Sequence, residues 1–405
     1  MIQNTNMSKT LKIGLFGYGV VGHGIYEILA KKLGFDVEVV KICVKDRNKK
    51  RDLPMDRFTF DRNEILDNPE ISLIVEVIND SEAAHEIVVS SLLKGKNVVT
   101  ANKKMIAEHL EELIRLQKEN NVSLLYEGST CGSIPIIRTL EEYYDNELLF
   151  SVSGIFNSSS NYIVSRIFKD NIDFDIALKQ AQDLGFLESD PSLDLSGMDA
   201  LYKLCIIAAH AYGVFVKPEL VLNHGIQNLN DYDIQYAKEK GVRIKTVSVV
   251  RKMDDSSVTM FSMPQFIPRG HKLYFIENEL NAVIVEASFS DQQFYMGKGA
   301  GGHPIGSAIL SDISANLYGY RYEYKKYLNT KKMDYVTNLE LEVYLRYYDE
   351  KNVALFQFDK ITERYYGQEF NYVVGTVKLD NLLKNKSRLN SADVLMVWTG
   401  KWKVL

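Results

Sequence analysis

Cysteine is scarce, with three in 405 residues at Cys43, Cys131 and Cys205. They are far apart and odd in number, which argues against a disulfide framework and leaves each as a small buried residue. Long apolar runs are missing; none approaches the ~18 residues that a membrane span needs. Residues 1–9 are polar and lack the hydrophobic core of a signal peptide, so a soluble cytoplasmic chain is expected. No long block of one charge occurs, and the net charge is only −5, which gives no footprint for nucleic acid or an anionic membrane. The short Lys49-Lys50 run reads as a solvated loop. There are no internal repeats or low-complexity linkers. His85, His109, His210 and His224 fall in or near expected helices without metal-ligand spacing and read as structural.

What the chain does have is length and apolar content, 46% of residues, enough for two or three domains. Its first third alternates. Leu11 to Phe16, Val37 to Val44, Leu73 to Ile78, Asn97 to Thr100 and Val122 to Tyr126 read as strands. Val20 to Leu33, Glu82 to Lys94 and Glu108 to Glu119 read as helices. Strands and helices alternating at this pitch predict an α/β fold with a parallel, doubly wound sheet. After about Pro135 the character changes. Helices are expected at Ile136 to Tyr144, Ser160 to Phe168, Ile176 to Gln182 and Met198 to Tyr212, among strands at Ser151 to Ile155, Ile244 to Val250 and Ala282 to Ala287. That mixture suits an α+β domain with an open mixed sheet. The run Gly297 to Gly302 interrupts it, and Ile305 to Leu317 resumes as a helix. A tail from about Asn338 reads strand (Leu339 to Tyr347), helix (Val353 to Tyr365), strand (Phe370 to Val377), short turn (Asn381 to Lys384) and strand (Val394 to Thr399), a small separate module.

Gly17-Tyr18-Gly19-Val20-Val21-Gly22 is G-x-G-x-x-G directly after a strand and opening a helix. The first glycine allows the tight turn, the second admits a pyrophosphate, and the third lets helix pack on strand; the phosphate then meets free N–H groups at the helix N-terminus. Gly17, Gly19, Val20, Val21 and Gly22 are therefore expected to hold a dinucleotide, against the plainer reading of a structural turn. The second strand ends near Val44, where the ribose is read, and Lys45-Asp46-Arg47-Asn48-Lys49 follows. A lone acid there favours NAD, and basic neighbours favour the extra phosphate of NADP. Both occur, and the three basic residues tilt the expectation to NADP.

Asp199 and Lys203 are four residues apart, so a helix puts them on one face. Glu188, Asp190 and Asp194, from the loop before, can converge on the same spot. Acids around one lysine suit a small amino-acid substrate: the acids hold its ammonium, and the lysine meets its reacting oxygen. The plainer reading is a surface helix with one ion pair worth a few tenths of a kcal/mol. Lys103 ends a strand at the edge of the sheet where ligands bind in such folds.

Five segments, in order, resemble the homoserine dehydrogenase family. They are Gly95-Lys96-Asn97-Val98-Val99-Thr100-Ala101-Asn102-Lys103, then Tyr126 to Pro135, then Gly154 to Ile163. The fourth and most specific runs from Ala181 to Pro191 and on through Asp194, Gly197 and Asp199 to Lys203-Leu204. The fifth is Gly297 to Pro304, followed by Asp312-Ile313. The resemblance implies a Rossmann-type domain over residues 1–135, completed by about 303–330. It also implies a substrate-binding, catalytic and dimerisation domain over 136–302, and an ACT-like module over 338–405. It implies interconversion of L-homoserine and L-aspartate 4-semialdehyde with a nicotinamide cofactor, in threonine and methionine biosynthesis. Glu188, Asp194 and Asp199 would bind substrate, Lys203 would be the general acid, and Lys103 would lie beside nicotinamide and substrate. Asn79, Gly185 and Gly301 fall at cofactor positions, and His303 would line the cofactor site. A sodium-like ion would rest on main-chain oxygens of Glu127, Thr130, Gly132 and Ile134, and the chain would form a homodimer or homotetramer.

The chain departs from the family pattern in places. Asn79-Asp80 replaces a Gly-Gly pair, and an extra carboxylate there works against a diphosphate. Gly128, Ser133 and Ser158 depart from the usual small residues, Ile305-Gly306 replaces Thr-Ala, and Asp349 to Leu355 replaces the ACT effector turn. Two other readings compete. One is a catalytically silent nucleotide-binding paralogue. The other is a dehydrogenase for a different oxo-acid; its phosphorylating version needs a cysteine nucleophile, and Cys131 has no partner base evident in the sequence.

Overall fold

The computed structural model describes residues 10–31, 34, 36–145, 148–187, 190–328 and 332–405. They divide into two compact units. The first runs through Arg138 and takes back Gly301–Glu323; the second holds Thr139–Ala300 and Tyr324–Leu405.

In the first unit the strands β1 (Leu11–Phe16), β2 (Val37–Cys43), β3 (Phe58–Thr59), β4 (Leu73–Glu76), β5 (Asn97–Thr100) and β6 (Leu124–Leu125) form one parallel sheet in the order β3-β2-β1-β4-β5-β6. β4 is buried at all four residues, as a strand covered on both faces by helices must be. The order reverses between β1 and β4, so the loops after these two strands open a crevice at their carboxyl ends, the place where doubly wound folds bind ligands. Helix Gly302–Leu317 packs closely on helix Val20–Leu29. The glycines make this possible: a Cβ on Gly24 would stand 2.5 Å from the Gly302 carbonyl carbon, and one on Gly302 would stand 2.6 Å from the Val20 oxygen. Part of the glycine-rich fifth segment thus serves helix packing.

The second unit is built on one mixed sheet. Its strands are β7 (Leu149–Ile155), β8 (Leu222–Asn223), β9 (Val242–Lys252), β10 (Ser257–Pro268), β11 (Leu280–Ala287), β12 (Asp291–Lys298), β13 (Asp334–Tyr335), β14 (Leu339–Tyr347), β15 (Lys360–Tyr366), β16 (Asn371–Lys378) and β17 (Leu395–Val404). The main path is β12-β11-β7-β9-β10-β17-β14-β16-β15, with β8 and β13 also on β10. β10 is buried at every position from Ser257 to Ile267 and contains Pro264. It lacks the apolar–polar alternation of a half-buried strand and has a proline inside, which masks its β-branched and aromatic residues as a strand signal. Helix Asp231–Glu239 was also not predicted, although Asn230 and Asp233 form a capping box at its start.

The tail is not separate. β17 pairs with β10 at Gln265–Trp398, and Phe261, Met263, Val343, Val373 and Trp398 share one core. The apolar inward face of the tail has to be buried, and the longest buried strand of the unit covers it. Within the tail, strand–helix–strand–strand–helix–strand with order β17-β14-β16-β15 is the split βαβ arrangement. The helix expected from Val353 to Tyr365 stops at Phe356. Gln357 turns left-handed at φ 52°, and the aromatic and β-branched residues from Lys360 to Tyr366 become β15.

Candidate active site

The glycine loop leaves β1 and enters helix Val20–Leu29. Gly17 sits at φ +100°, where a Cβ would be 2.8 Å from the Val77 oxygen. Only glycine fits there. A Cβ on Gly22 would meet the Gly17 oxygen, which explains the third glycine. Gly19 differs, because a Cβ there meets nothing within 4 Å. No protein atom within reach demands a glycine at that place, and the open space suits the close approach of a ligand. The helix carries no acid in its first turn and exposes Val20 at 74%, an arrangement that suits a diphosphate on the free N–H groups. Tyr18 Oη donates to Asp52 at 3.1 Å, and His23 Nε2 lies 3.1 Å from the same carboxylate. This clamp on the loop was not foreseen.

After β2, where the ribose is expected, the Asp46 carboxylate accepts the N–H groups of Asn48 and Lys49 at 2.7 and 3.2 Å. It is occupied in its own turn. Arg47 lies over the Phe60 ring at 4.7 Å, and Lys45, Arg47 and Lys49 are exposed.

Asn79 is exposed after β4. The extra carboxylate beside it has a local use: Asp80 caps helix Ser81–Leu93, accepting from the Ala83 N–H at 3.1 Å. Asn102 caps helix Lys103–Asn120 through the Met105 N–H and donates to the Ile78 oxygen. Lys103 is thus the first residue of a helix, where the macrodipole disfavours a cation by a few tenths of a kcal/mol. Beneath these loops Glu76 is fully buried, accepting from Thr100 Oγ1 and the Ile78 N–H, and burial pushes its carboxyl up to about 7.

In the second unit β7 ends at Ile155, and Asn157 caps helix Ser158–Asp170, its Oδ1 accepting from the Ser160 N–H at 2.7 Å. That fixes the amide, and its Nδ2 donates to Asp194 Oδ1 at 2.6 Å and to Asp199 Oδ2 at 2.8 Å. Asp199 Oδ2 also lies 2.8 Å from Lys203 Nζ, and that ammonium donates to the Phe156 oxygen at 2.8 Å. Asn281 Nδ2 donates to the same oxygen. Helix Met198–Tyr212 is buried from Asp199 to Tyr212. The lysine pair is therefore not a surface pair. A buried ion pair seldom repays its desolvation, so this one is poor evidence for stability. Asp194, Asp199 and Lys203 are brought together as expected. Asn157, which joins them, was not singled out from the sequence, although an asparagine three residues ahead of Ser160 at a helix start was a readable cap. Glu188 lies outside the described residues.

Other expected positions are less pointed. Gly185, at φ +74°, ends helix Phe174–Asp183 in a Schellman turn, with Phe186 N–H to the Ala181 oxygen and Gly185 N–H to the Gln182 oxygen. Gly301, at φ +109°, precedes helix Gly302–Leu317. His303 lies 3.0 Å from Glu27 at the surface. The turn Glu127 to Ile134 is buried except at Ser133. The Glu127 oxygen accepts both the N–H and the Oγ1–H of Thr130, and the Ile134 oxygen accepts the Ile136 N–H. The Glu127 carboxylate accepts from the N–H groups of Ile137 and Arg138, its own N–H donates to Asp312, and burial raises both acids. Cys131 is buried with 0% exposure, which keeps it from acting as a nucleophile.

The homoserine dehydrogenase family model matches residues 135–314, and the model of that family's NAD-binding domain matches residues 17–127. A homoserine dehydrogenase of Bacillus subtilis is 34% identical over 322 residues, covering 77% of this chain and 74% of its own. The chain belongs to the homoserine dehydrogenase family. It is an oxidoreductase with a nicotinamide-dinucleotide domain, and the silent-paralogue alternative finds no support among its relatives. The solved homoserine dehydrogenase of Thiobacillus denitrificans superposes with a TM-score of 0.80 at 26% identity, covering 97% of this chain and 99% of that one. A hyperthermophilic archaeal homoserine dehydrogenase mutant, solved in complex with NADPH, gives 0.65 at 26% identity, covering 78% of this chain and 100% of that one. No helix among the described residues is long and apolar enough to cross a membrane.

Proposed function

We propose that this chain interconverts L-homoserine and L-aspartate 4-semialdehyde, with Lys203 as the proton-transferring group. The observation that carries the reading is the buried Asp199–Lys203 pair, joined to Asp194 through Asn157. The nicotinamide cofactor supplies or accepts the hydride at the substrate's C4. The carboxylates of Asp194 and Asp199, with Glu188, hold the substrate ammonium. Lys203 faces the substrate oxygen: in reduction it stabilises the developing negative charge and gives its proton, and in oxidation it takes the proton back. Lys103, at a helix start beside the cofactor end of the sheet, shares the orientation of that oxygen.

Gly17, Gly19, Val20, Val21 and Gly22 would hold the diphosphate, with Asn79 and Gly301 at the same edge. Because Asp46 is tied into its own turn, Lys45, Arg47 and Lys49 are left to meet a 2′-phosphate, and this favours NADP. A sodium-like ion would rest on the main-chain oxygens of Glu127, Thr130, Gly132 and Ile134, bracing the turn and taking no part in the chemistry. The tail is read as an ACT-like module that contributes packing and contact between subunits, the chain acting in the cytoplasm as a homodimer or homotetramer.

Purified protein with saturating homoserine and either NADP⁺ or NAD⁺, followed at the absorbance of the reduced nicotinamide, tests the reading. Turnover with NADP⁺ preferred is expected. Failure to reduce either cofactor would instead point to a silent nucleotide-binding paralogue.

A further inference from the structure

On the first unit, helices Ser81–Leu93 and Lys103–Asn120 lie side by side after successive strands. Each carries a histidine and an acid three residues apart, Glu82 with His85 on one and His109 with Glu112 on the other. The i,i+3 spacing puts each pair on one helix face. His85 Nε2 stands 2.9 Å from Glu112 Oε2, and His109 Nδ1 stands 3.8 Å from that same oxygen. The two rings are stacked, with centroids 3.9 Å apart and planes 24° from parallel. Ligand atoms of His85, His109 and Glu112 all lie within 4.8 Å of one another, and those of Glu82, Glu108 and His109 form an overlapping second group.

We propose that His85, His109 and Glu112 bind one divalent transition-metal ion of the zinc class. Ligands about 2.0–2.2 Å from a shared ion stand roughly 3–4 Å from each other. The separations of 2.9 and 3.8 Å bracket that spacing, and because an imidazole binds a metal in its ring plane, the two stacked rings rotate about their side-chain bonds to aim at one ion. Two imidazoles with one carboxylate suit zinc, cobalt or nickel; calcium and magnesium take oxygen ligands. Glu82 and Glu108 add negative charge beside the ion. The side chains of His85, His109 and Glu112 are 21%, 30% and 40% exposed, so an ion reaches them from solvent.

The ion would strap together two helices whose caps, Asp80 and Asn102, stand at the cofactor edge of the sheet. Because the ligands come from two helices, with His85 and His109 24 positions apart in the chain, the pattern has no single-segment spacing to read. Both histidines therefore passed as structural in the sequence.

The test uses the full chain stripped with a chelator and titrated with Co²⁺ as the coloured probe, then with Zn²⁺ by calorimetry. Saturable binding of one ion per chain is expected. His85→Gln, His109→Gln and Glu112→Gln should each weaken it by roughly 10-fold or more, while the surface variant His303→Gln should not. Zn²⁺ should raise the melting temperature of the wild type and leave that of His85→Gln unmoved, since only an ion bound to the folded form stabilises. No binding, or binding that survives all three ligand substitutions, would overturn the assignment. Circular dichroism of each variant separates lost ligation from lost folding.

Discussion

Asp199 Oδ2 and Lys203 Nζ stand 2.8 Å apart, one helical turn from each other on a helix with no solvent-facing side at that level. Lys203→Ala should abolish turnover while cofactor affinity stays within about threefold, because the dinucleotide loop belongs to a different compact unit. Steady-state rates and a cofactor titration check this together. A variant that kept most of its activity would remove Lys203 from the chemistry.

Asn157 offers a finer probe of the same cluster. Asn157→Asp keeps an oxygen for the Ser160 N–H but replaces the donor to Asp194 and Asp199 with a third carboxylate. The homoserine KM should rise by about tenfold or more, and the pH profile of kcat/KM should move to higher pH, since crowded acids hold their protons longer. Asn157→Ala should add a loss of about 1 kcal/mol for the missing cap. An unchanged pH profile in Asn157→Asp would show that the amide is only a cap.

Cofactor choice is tested at the turn after β2. Arg47→Ala and Lys45→Ala should each weaken NADP⁺ by roughly 10-fold, the worth of one charge-assisted contact, and leave NAD⁺ nearly untouched. Equal losses for both cofactors would mean that these side chains do not read a 2′-phosphate.

His224 predicts a pH dependence for the tail. It is fully buried, its Nε2 accepts the Met396 N–H, and its Nδ1 then carries the proton shared with Asn390. Burial pushes it down to about 4 from the usual 6.5. A depressed folded value means that its contribution is complete above about pH 6.5 and is lost as the pH falls through about 4. Denaturant midpoints should fall over that window, and His224→Gln should flatten the slope. A slope of equal size in the variant would assign the effect elsewhere.

Arg346 of β14 and Asp233 at the start of helix Asp231–Glu239 form a salt bridge at 3.0 Å with no exposure on either side chain, and Tyr344 donates to the same carboxylate. Removing one partner strands the other, so Asp233→Ala should cost about 3–5 kcal/mol, and the pair Asp233→Leu/Arg346→Met should recover most of it. Urea unfolding of the three proteins decides the point. A mild single variant would mean that water already reaches the pair.

Several of these groups were readable in the sequence and others were not, for physical reasons. β1, β5 and helix Met198–Tyr212 match their expected bounds, since short apolar runs and strong helix formers carry their own signal. Gly17, Gly22 and the Asp199–Lys203 spacing were legible because local geometry dictates them. β10 is hidden by burial on both faces, and β15 reads as helix in the sequence because its sheet partner, β16, lies beyond a turn. The role of Asn157 and the nearness of His85 to His109 depend on residues far along the chain. No window of sequence contains them.

β17 is the last strand of its unit in chain order, yet it lies between β10 and β14, and helix Gly302–Leu317 likewise closes a sheet begun some three hundred residues earlier. During synthesis, neither half can reach its finished form from the part already made. The emerging polypeptide must keep long apolar strands waiting in the open until their late partners arrive, and exposed surface of that kind is prone to aggregate.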